Sequence, residues 1–363
     1  MKSSYIIVGG GILGASTAYH LAKRNVKVTL VDRQDKGQAS AAAAGIICPW
    51  ISQRRNKKWY ALVKNGAHYY KQLVEELEDL GETSTGYKQV GAIALQNDPK
   101  KLQKMLERAI EKRMDAPEIG ELKILSTEET REYFPLISKD FTSLYVEGAA
   151  RVDGSAMRDA LISAAKKLGA EVIYDNATFS NGVLKVNDQL MDADAIVLTA
   201  GAWGNELPQK LGVDMKVSFQ KAQIMHFQVN NLDTGEWPVV LPPTNQYLLT
   251  FDNRKVVAGS TYEENTGYDT EVTEAGKKEL LEKAISVASS LENASVREVR
   301  VGFRPYTPDF LPVIGKLPGF ESIYFSNGLG ASGLTAGPFV GAELARFILG
   351  EETVLDLTNY APM

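Results

Sequence analysis

The run Ile6-Ile7-Val8-Gly9-Gly10-Gly11-Ile12-Leu13-Gly14 limits what this chain can fold into more than any other part of it. Residues 5–8 form a continuous apolar stretch, the pattern of a strand buried on both faces. Residues 14–24 continue with helical spacing through Ala15, Ala18, Tyr19, Leu21 and Ala22. Residues 26–31 read as a second strand, ending at Asp32. Strand, glycine turn, helix and strand make one βαβ unit, which places the chain in the α/β class.

Gly9, Gly11 and Gly14 fit G-x-G-x-x-G at the strand-to-helix turn. The first glycine allows the tight turn, the second lets backbone approach a pyrophosphate, and the third lets helix and strand pack closely. The helix N-terminus offers free N–H groups and a positive dipole end to phosphates. Asp32, eighteen residues after Gly14, stands where an acid accepts from ribose hydroxyls. The pattern predicts a dinucleotide site; the plain alternative is an ordinary glycine-rich turn. A second glycine segment, Gly328-Leu329-Gly330-Ala331-Ser332-Gly333-Leu334-Thr335-Ala336-Gly337-Pro338, lies near the other end. A cofactor gripped from both ends of the chain points to FAD over NAD. Between them, Ala39-Ser40-Ala41-Ala42-Ala43-Ala44-Gly45-Ile46-Ile47 admits two readings. Its small residues would let backbone approach a flat ring system, or it is a short alanine-rich helix.

Composition narrows the alternatives. Apolar residues make up 44% and charged residues 23%, the balance of a soluble globular protein. A net charge of -5 argues against a nucleic-acid partner. The single cysteine, Cys48, excludes a disulfide framework, and His20, His68 and His226 lack ligand spacing, so no metal site is expected. The apolar stretch 333–350 is interrupted by Pro338, Glu343 and Arg346, so no transmembrane segment is expected. The short lead Met1-Lys2-Ser3-Ser4 leaves no room for a signal peptide, and a cytoplasmic location is expected.

Further along, periodicity predicts helices over 59–80, 100–112, 156–168, 271–291 and 338–349, and a short helix after Ser126-Thr127-Glu128-Glu129 that ends near Pro135. Strands are expected at 90–95, 171–174, 183–186, 195–199, 223–229, 247–250, 255–259 and 323–326. There is no repeat and no linker, so two modules should interleave. The expected division puts 1–85, 145–215 and 300–363 in a cofactor domain, and 86–144 and 216–299 in a substrate domain.

Several segments together resemble the FAD-dependent D-amino-acid oxidase family, in its glycine oxidase and D-amino-acid dehydrogenase branches. They are the 6–32 unit, Ala39-Ser40…Gly45-Ile46, Val146-Glu147-Gly148…Val152-Asp153, Thr199-Ala200-Gly201-Ala202-Trp203, Gly302-Phe303-Arg304-Pro305…Pro312-Val313-Ile314-Gly315 and 328–338, in this order. The resemblance implies a GR2-type FAD-binding Rossmann-like domain with an interleaved β-sheet substrate domain. It implies that Gly9, Gly11, Gly14, Asp32 and the adjoining Arg33 hold the ADP half, although the family more often has glutamate where Asp32 stands. Ser40, Ala44, Gly45 and Ile46 would line the flavin. Ala177 would sit near the adenine, where valine is usual, and Ala200, Gly201 and Trp203 are further implied cofactor contacts. Gly328, Leu329, Gly330, Ser332, Gly333, Leu334 and Thr335 would hold the pyrimidine end through backbone N–H groups. Some members attach flavin to a cysteine just before the Arg-Pro motif. Here that stretch is Val301-Gly302-Phe303-Arg304 and Cys48 is far away in sequence, so noncovalent FAD is expected and Cys48 reads as a small buried residue.

At the substrate end, Arg304 stands among Pro305, Pro308 and Pro312, and its planar fork suits a carboxylate. The resemblance assigns it the substrate carboxylate; the alternative is a structural surface arginine. Tyr247 matches a tyrosine that assists carboxylate binding, and Tyr262 a pocket-wall residue; either could instead be packing. The basic run Arg54-Arg55-Asn56-Lys57-Lys58 is solvated surface or the rim of the site, and Trp50 and Trp59 beside it are walls or packing.

The implied reaction is hydride transfer from the α-carbon of a small amino acid with a free carboxylate (glycine, sarcosine or a D-amino acid) to flavin N5. The resulting imino acid hydrolyses to a keto acid, and no side-chain base is required. The alternatives are a D-amino-acid dehydrogenase that passes electrons to an acceptor other than oxygen, a pyridine-nucleotide dehydrogenase, a structural flavoprotein, and a tRNA-modifying relative. Assembly into a homo-oligomer stays open, with the 100–112 helix as one candidate face.

Overall fold

The computed structural model describes residues 3–138, 141–230 and 232–362, so Met1 and Lys2 of the N-terminal lead lie outside the described residues. One sheet has six strands, in the order Val313–Lys316, Ile323–Asn327, Ala195–Leu198, Ser4–Val8, Lys27–Val31 and Glu171–Ile173. All neighbours are parallel except the first pair. Val8 pairs with Leu198 on one side and Val31 on the other, so three strands end level. Gly9, Thr199 and Asp32 therefore surround one crevice at the carboxyl ends, where open α/β sheets bind ligands.

The helix Ile12–Lys23 is buried along nearly its whole length, against the helices Gly154–Lys167 and Gly333–Leu349. It has no polar face because helices cover it on both sides. Only small residues permit this approach: a Cβ on Gly341 would lie 2.6 Å from the Ser16 Cβ.

The last helix starts at Gly333, not at the expected residue 338, so Pro338 sits inside it. Proline has no N–H to give the carbonyl four residues earlier. That carbonyl, of Leu334, instead accepts from the Tyr70 hydroxyl. The Pro338 carbonyl accepts from Ser16 Oγ at 2.6 Å.

A second, eight-stranded sheet runs Ser295–Tyr306, Ser218–Gln228, Lys255–Gly259, Tyr247–Phe251, Val239–Leu241, Ala92–Gln96, Thr142–Val146 and Leu122–Leu125. Its neighbours are antiparallel save Val239–Leu241 with Ala92–Gln96. Two of its strands, Thr142–Val146 and Ser295–Tyr306, run past the expected division points at 144 and 299. One face buries Met225, Phe227, Leu248 and Val256 with Leu280 and Ala284 of the helix Glu274–Val287; the other carries Ile224, Leu249 and Val257 into the core shared with the six-stranded sheet. The helix expected over 271–291 is shorter, because Thr273 caps it and a 3₁₀ turn, Ser289–Asn293, follows.

Arg304 belongs, with Pro305, to the edge strand Ser295–Tyr306, and Pro308 and Pro312 lie beyond its end. The edge position explains how Pro305 is accommodated there. Ser126 and Glu129 form the expected capping box of the helix Thr127–Tyr133. Among the described residues, no helix is long and apolar enough to cross a membrane, and no group of three or more His, Cys, Asp and Glu could hold a metal ion.

Candidate active site

A cavity of about 880 Å³ lies between the two sheets. Its wall contains Gly9, Gly11, Asp32, Arg33, Ser40, Ala44, Gly45, Ile46, Ala177, Ala200, Gly201 and Trp203. Gly328, Leu329, Gly330, Ser332, Gly333, Leu334 and Thr335 join them, with Arg304, Tyr247 and Tyr262. Both glycine segments and all three substrate-end candidates thus face one space. Gly14 stands behind the wall: a Cβ there would lie 1.9 Å from the Gly9 carbonyl oxygen, so it is the packing glycine of the motif.

At the first glycine turn, Gly9 has φ +106, a conformation that favours glycine. The Thr199 hydroxyl ties the turn down by donating to the carbonyls of Val8 (3.1 Å) and Gly9 (2.9 Å). Asp32 is buried and accepts from the N–H groups of Gly10 and Gln34, both at 2.5 Å, and from Gln38 Nε2 at 3.0 Å. A carboxylate has about four acceptor sites, so room remains for one ribose hydroxyl. Arg33 pairs with Asp35 (2.5 Å) and Glu206 (2.8 Å) at the same end of the cavity. Ser40 Oγ accepts from the Ile12 N–H at 2.9 Å and fixes the Ala39–Ala42 turn to the helix start.

That turn excludes the helical reading of the alanine-rich segment. Ala39–Ala42 is a single 3₁₀ turn; Ala43 is extended and Ile46–Ile47 is a strand. Four alanines do not prolong the helix because Gly45, at φ +80, breaks it where a Cβ would lie 1.7 Å from the Val152 carbonyl oxygen.

The last helix points its N-terminus at the cavity, and among the described residues no side chain caps its N–H groups. Thr335 Oγ1 donates to the Ile46 carbonyl at 3.0 Å and ties the start of the last helix to the strand Ile46–Ile47. Ser326 adds a buried hydroxyl that lines the cavity and has no hydrogen-bond partner among the described residues. Uncapped N–H groups, spare acceptor capacity at Asp32 and the orphaned Ser326 hydroxyl fit an extended dinucleotide with phosphates, hydroxyls and a ring edge.

Arg304 Nη2 donates to Ser260 Oγ at 3.3 Å, and no carboxylate pairs with Arg304 among the described residues. Tyr247 lies against Gly259, where a Cβ would sit 2.3 Å from the Tyr247 hydroxyl oxygen. Burial pushes the Tyr247 phenol up to about 12, opposed by the Arg304 charge and a hydrogen bond with Ser260. It is therefore a neutral donor. Tyr262 is more exposed, and its hydroxyl accepts from Gln220 Nε2.

Cys48 corrects an expectation. It is half-buried, not buried, and lines this cavity despite its distance in sequence from Arg304. Burial pushes its thiol up to about 12, against the pull of Lys112, and keeps it protonated. Trp50 is packing, at 1% exposure, whereas Trp59 lines the cavity and donates from Nε1 to Ser332 Oγ at 2.9 Å. In the basic run, Arg54 lies over the Trp59 ring at 4.9 Å and donates to the Phe310 carbonyl at 2.9 Å; Asn56 caps the helix Lys57–Asp79. Arg55, Lys57 and Lys58 are exposed. Sequence reasoning missed Ser260, Ser326 and Gln38. Only Ser260 carried a signal, as a neighbour of Tyr262.

Residues 4–347 match the profile of the DAO family, described as FAD dependent oxidoreductase. The chain is 55% identical to the uncharacterized oxidoreductase YurR of Bacillus subtilis, over 99% of this chain and 98% of that protein. It superposes on the iminodiacetate oxidase IdaA of Chelativorans sp. BNC1 with a TM-score of 0.95, at 38% identity, covering 99% of this chain and 98% of that one. The glycine oxidase of Geobacillus kaustophilus gives a TM-score of 0.85 at 25% identity, covering 99% of both chains.

Proposed function

Because the chain belongs to the DAO family of FAD-dependent oxidoreductases, we propose that it oxidises the C–N bond of a small amine that carries a carboxylate on the reacting carbon. One observation carries this reading. Arg304 faces the cavity with a hydroxyl at 3.3 Å as its hydrogen-bond partner, beside the neutral donor Tyr247. A guanidinium without an internal carboxylate is complementary to an external one, which it grips with two parallel hydrogen bonds. The names of two relatives, glycine oxidase and iminodiacetate oxidase, support a glycine unit whose nitrogen is primary or secondary.

Bound FAD supplies the two-electron acceptor. The chain's own residues supply position: Arg304 and Tyr247 clamp the carboxylate and fix the direction of the α-C–H bond. The substrate enters as its neutral amine, whose nitrogen lone pair forms the C=N bond as the α-C–H pair is given up as hydride; water then hydrolyses the resulting iminium to an oxo acid and an ammonium ion, free or substituted. No side-chain base is needed. The glycine turns at 9–14 and 328–335 would hold the two ends of FAD, with Asp32 on the ribose.

The reading includes noncovalent FAD, supported by the protonated thiol of Cys48. Denaturation should release all flavin into solution; flavin that stays with the polypeptide contradicts it. The substrate reading is tested with matched pairs of amines, with and without the carboxylate. Oxo acid should form from the carboxylated member of a pair, and equal turnover of both members would overturn the assignment of Arg304.

A further inference from the structure

Residues 260–273, between the strand Lys255–Gly259 and the helix Glu274–Val287, begin in the cavity wall and continue to the outer side of Trp203. A connection this long inside a compact fold usually has work to do. At its start Tyr262 lines the cavity. Glu263 then pairs with Lys221 through two backbone hydrogen bonds of 2.9 Å. Tyr268 stacks on Trp203, 5.4 Å between centroids, and its hydroxyl donates to the Ala202 carbonyl at 3.2 Å. Phe219 stacks on Tyr268 at 4.5 Å, and Phe303 meets all three rings edge-on. Trp203 is itself cavity wall, next to Ala200 and Gly201. The segment thus reaches from the eight-stranded sheet and presses on the wall belonging to the other half.

Lys221 holds it there. This lysine is 1% exposed, yet its ammonium donates to Asp269 Oδ2 at 2.8 Å, one residue beyond Tyr268. The Asp269 carboxylate is 49% exposed, so the pair ties a buried position of the sheet to the outer edge of the segment; burying an ammonium is costly, and replacing such a pair with an apolar side chain of the same size is often neutral in stability. A buried charge kept at such a cost specifies a geometry, here the position of Asp269 and with it Tyr268.

We propose that residues 260–273 are a strap that retains FAD, latched by the Lys221–Asp269 pair and acting through Tyr268 on Trp203. Lys221 and Tyr268 are positioning residues, since neither lines the cavity. The claim concerns cofactor retention and stands or falls independently of the substrate.

The test is the rate at which FAD leaves the holoenzyme after dilution, followed by the rise in flavin fluorescence. Lys221→Met should fold as the parent does and release FAD about tenfold faster, the loss expected for one charge-assisted hydrogen bond. Tyr268→Leu should also accelerate release. Asp269→Asn leaves the buried ammonium with a weaker partner and is the variant most prone to misfold, so Lys221→Met carries the test. Where Asp269→Asn folds, the double variant should release FAD no faster than the quicker single one, because the two side chains form one latch. Unchanged release in both Lys221→Met and Tyr268→Leu would overturn the strap. Additive effects of the Lys221 and Asp269 variants would overturn the latch.

Discussion

At the scale of single residues, the site is a set of polar groups with capacity left over. Arg304 has a hydroxyl partner and no carboxylate among the described residues, Asp32 has acceptor room beyond its three donors, and Ser326 has a hydroxyl without a partner there. Arg304→Gln keeps a donor of similar reach and removes the charge and the fork. It should raise KM for carboxylated amines by roughly 100-fold, the worth of two hydrogen bonds to a charged group, while bound FAD is unchanged. Steady-state kinetics and the flavin-to-protein absorbance ratio measure the two effects separately; an unaltered KM would remove Arg304 from the site. Arg304 was legible because an arginine followed by proline stands out in a sequence. Ser326 was not, since a serine in a strand carries no mark until the fold leaves it buried and unpaired.

At the scale of elements, the chain brings two helix starts to one cavity and spends neighbouring side chains on holding them. Pro338 leaves the Leu334 carbonyl without its helical donor, and Tyr70 supplies one from the helix Lys57–Asp79. Tyr70→Phe should destabilise the protein by about 1–3 kcal/mol, the cost of a buried carbonyl left unsatisfied. A denaturant melt would show this as a lower midpoint at constant slope; no shift would mean the carbonyl finds another donor. The first βαβ unit could be read directly, because strand, glycines and helix are adjacent in sequence. Pro338 misled the reading of the last helix for a physical reason: local sequence says that proline stops a helix, and the donor that satisfies the freed Leu334 carbonyl is 264 positions from that residue. The alanine run has the same character. Its helix propensity is real, but Gly45 and the Val152 carbonyl end the turn from outside it. The edge strand carrying Arg304 went unread because charged residues along its first half hide the alternation.

At the scale of the whole molecule, buried imidazoles tie stability to pH. Burial, with the charges of Arg24, Lys23 and Arg346, holds His20 well below the ordinary histidine range. Burial and Arg300 hold His226 down as well, against the pull of Glu298 at 3.0 Å. Both stay neutral in the native protein where the unfolded chain takes up protons. Their contribution to stability is therefore full above about pH 6.5 and declines as pH falls below it. The thermal midpoint should drop between about pH 6.5 and pH 5, and His226→Gln should flatten that drop; an identical slope in the variant would discount His226.

The interleaving of the two sheets brings residues from both ends of the chain, and from the middle, onto one cavity wall. A cofactor site and a carboxylate clamp in the same cavity are the premise of the proposed reaction. The most direct measurement is an anaerobic titration of the holoenzyme with glycine, sarcosine, D-alanine, D-proline and iminodiacetate, each beside its counterpart lacking the carboxylate, followed in the visible spectrum. The account predicts that the flavin bands bleach with at least one carboxylated amine, not with its counterpart, and far less readily in Arg304→Gln. Bands that no carboxylated amine bleaches, or that bleach equally with the counterpart, would contradict it.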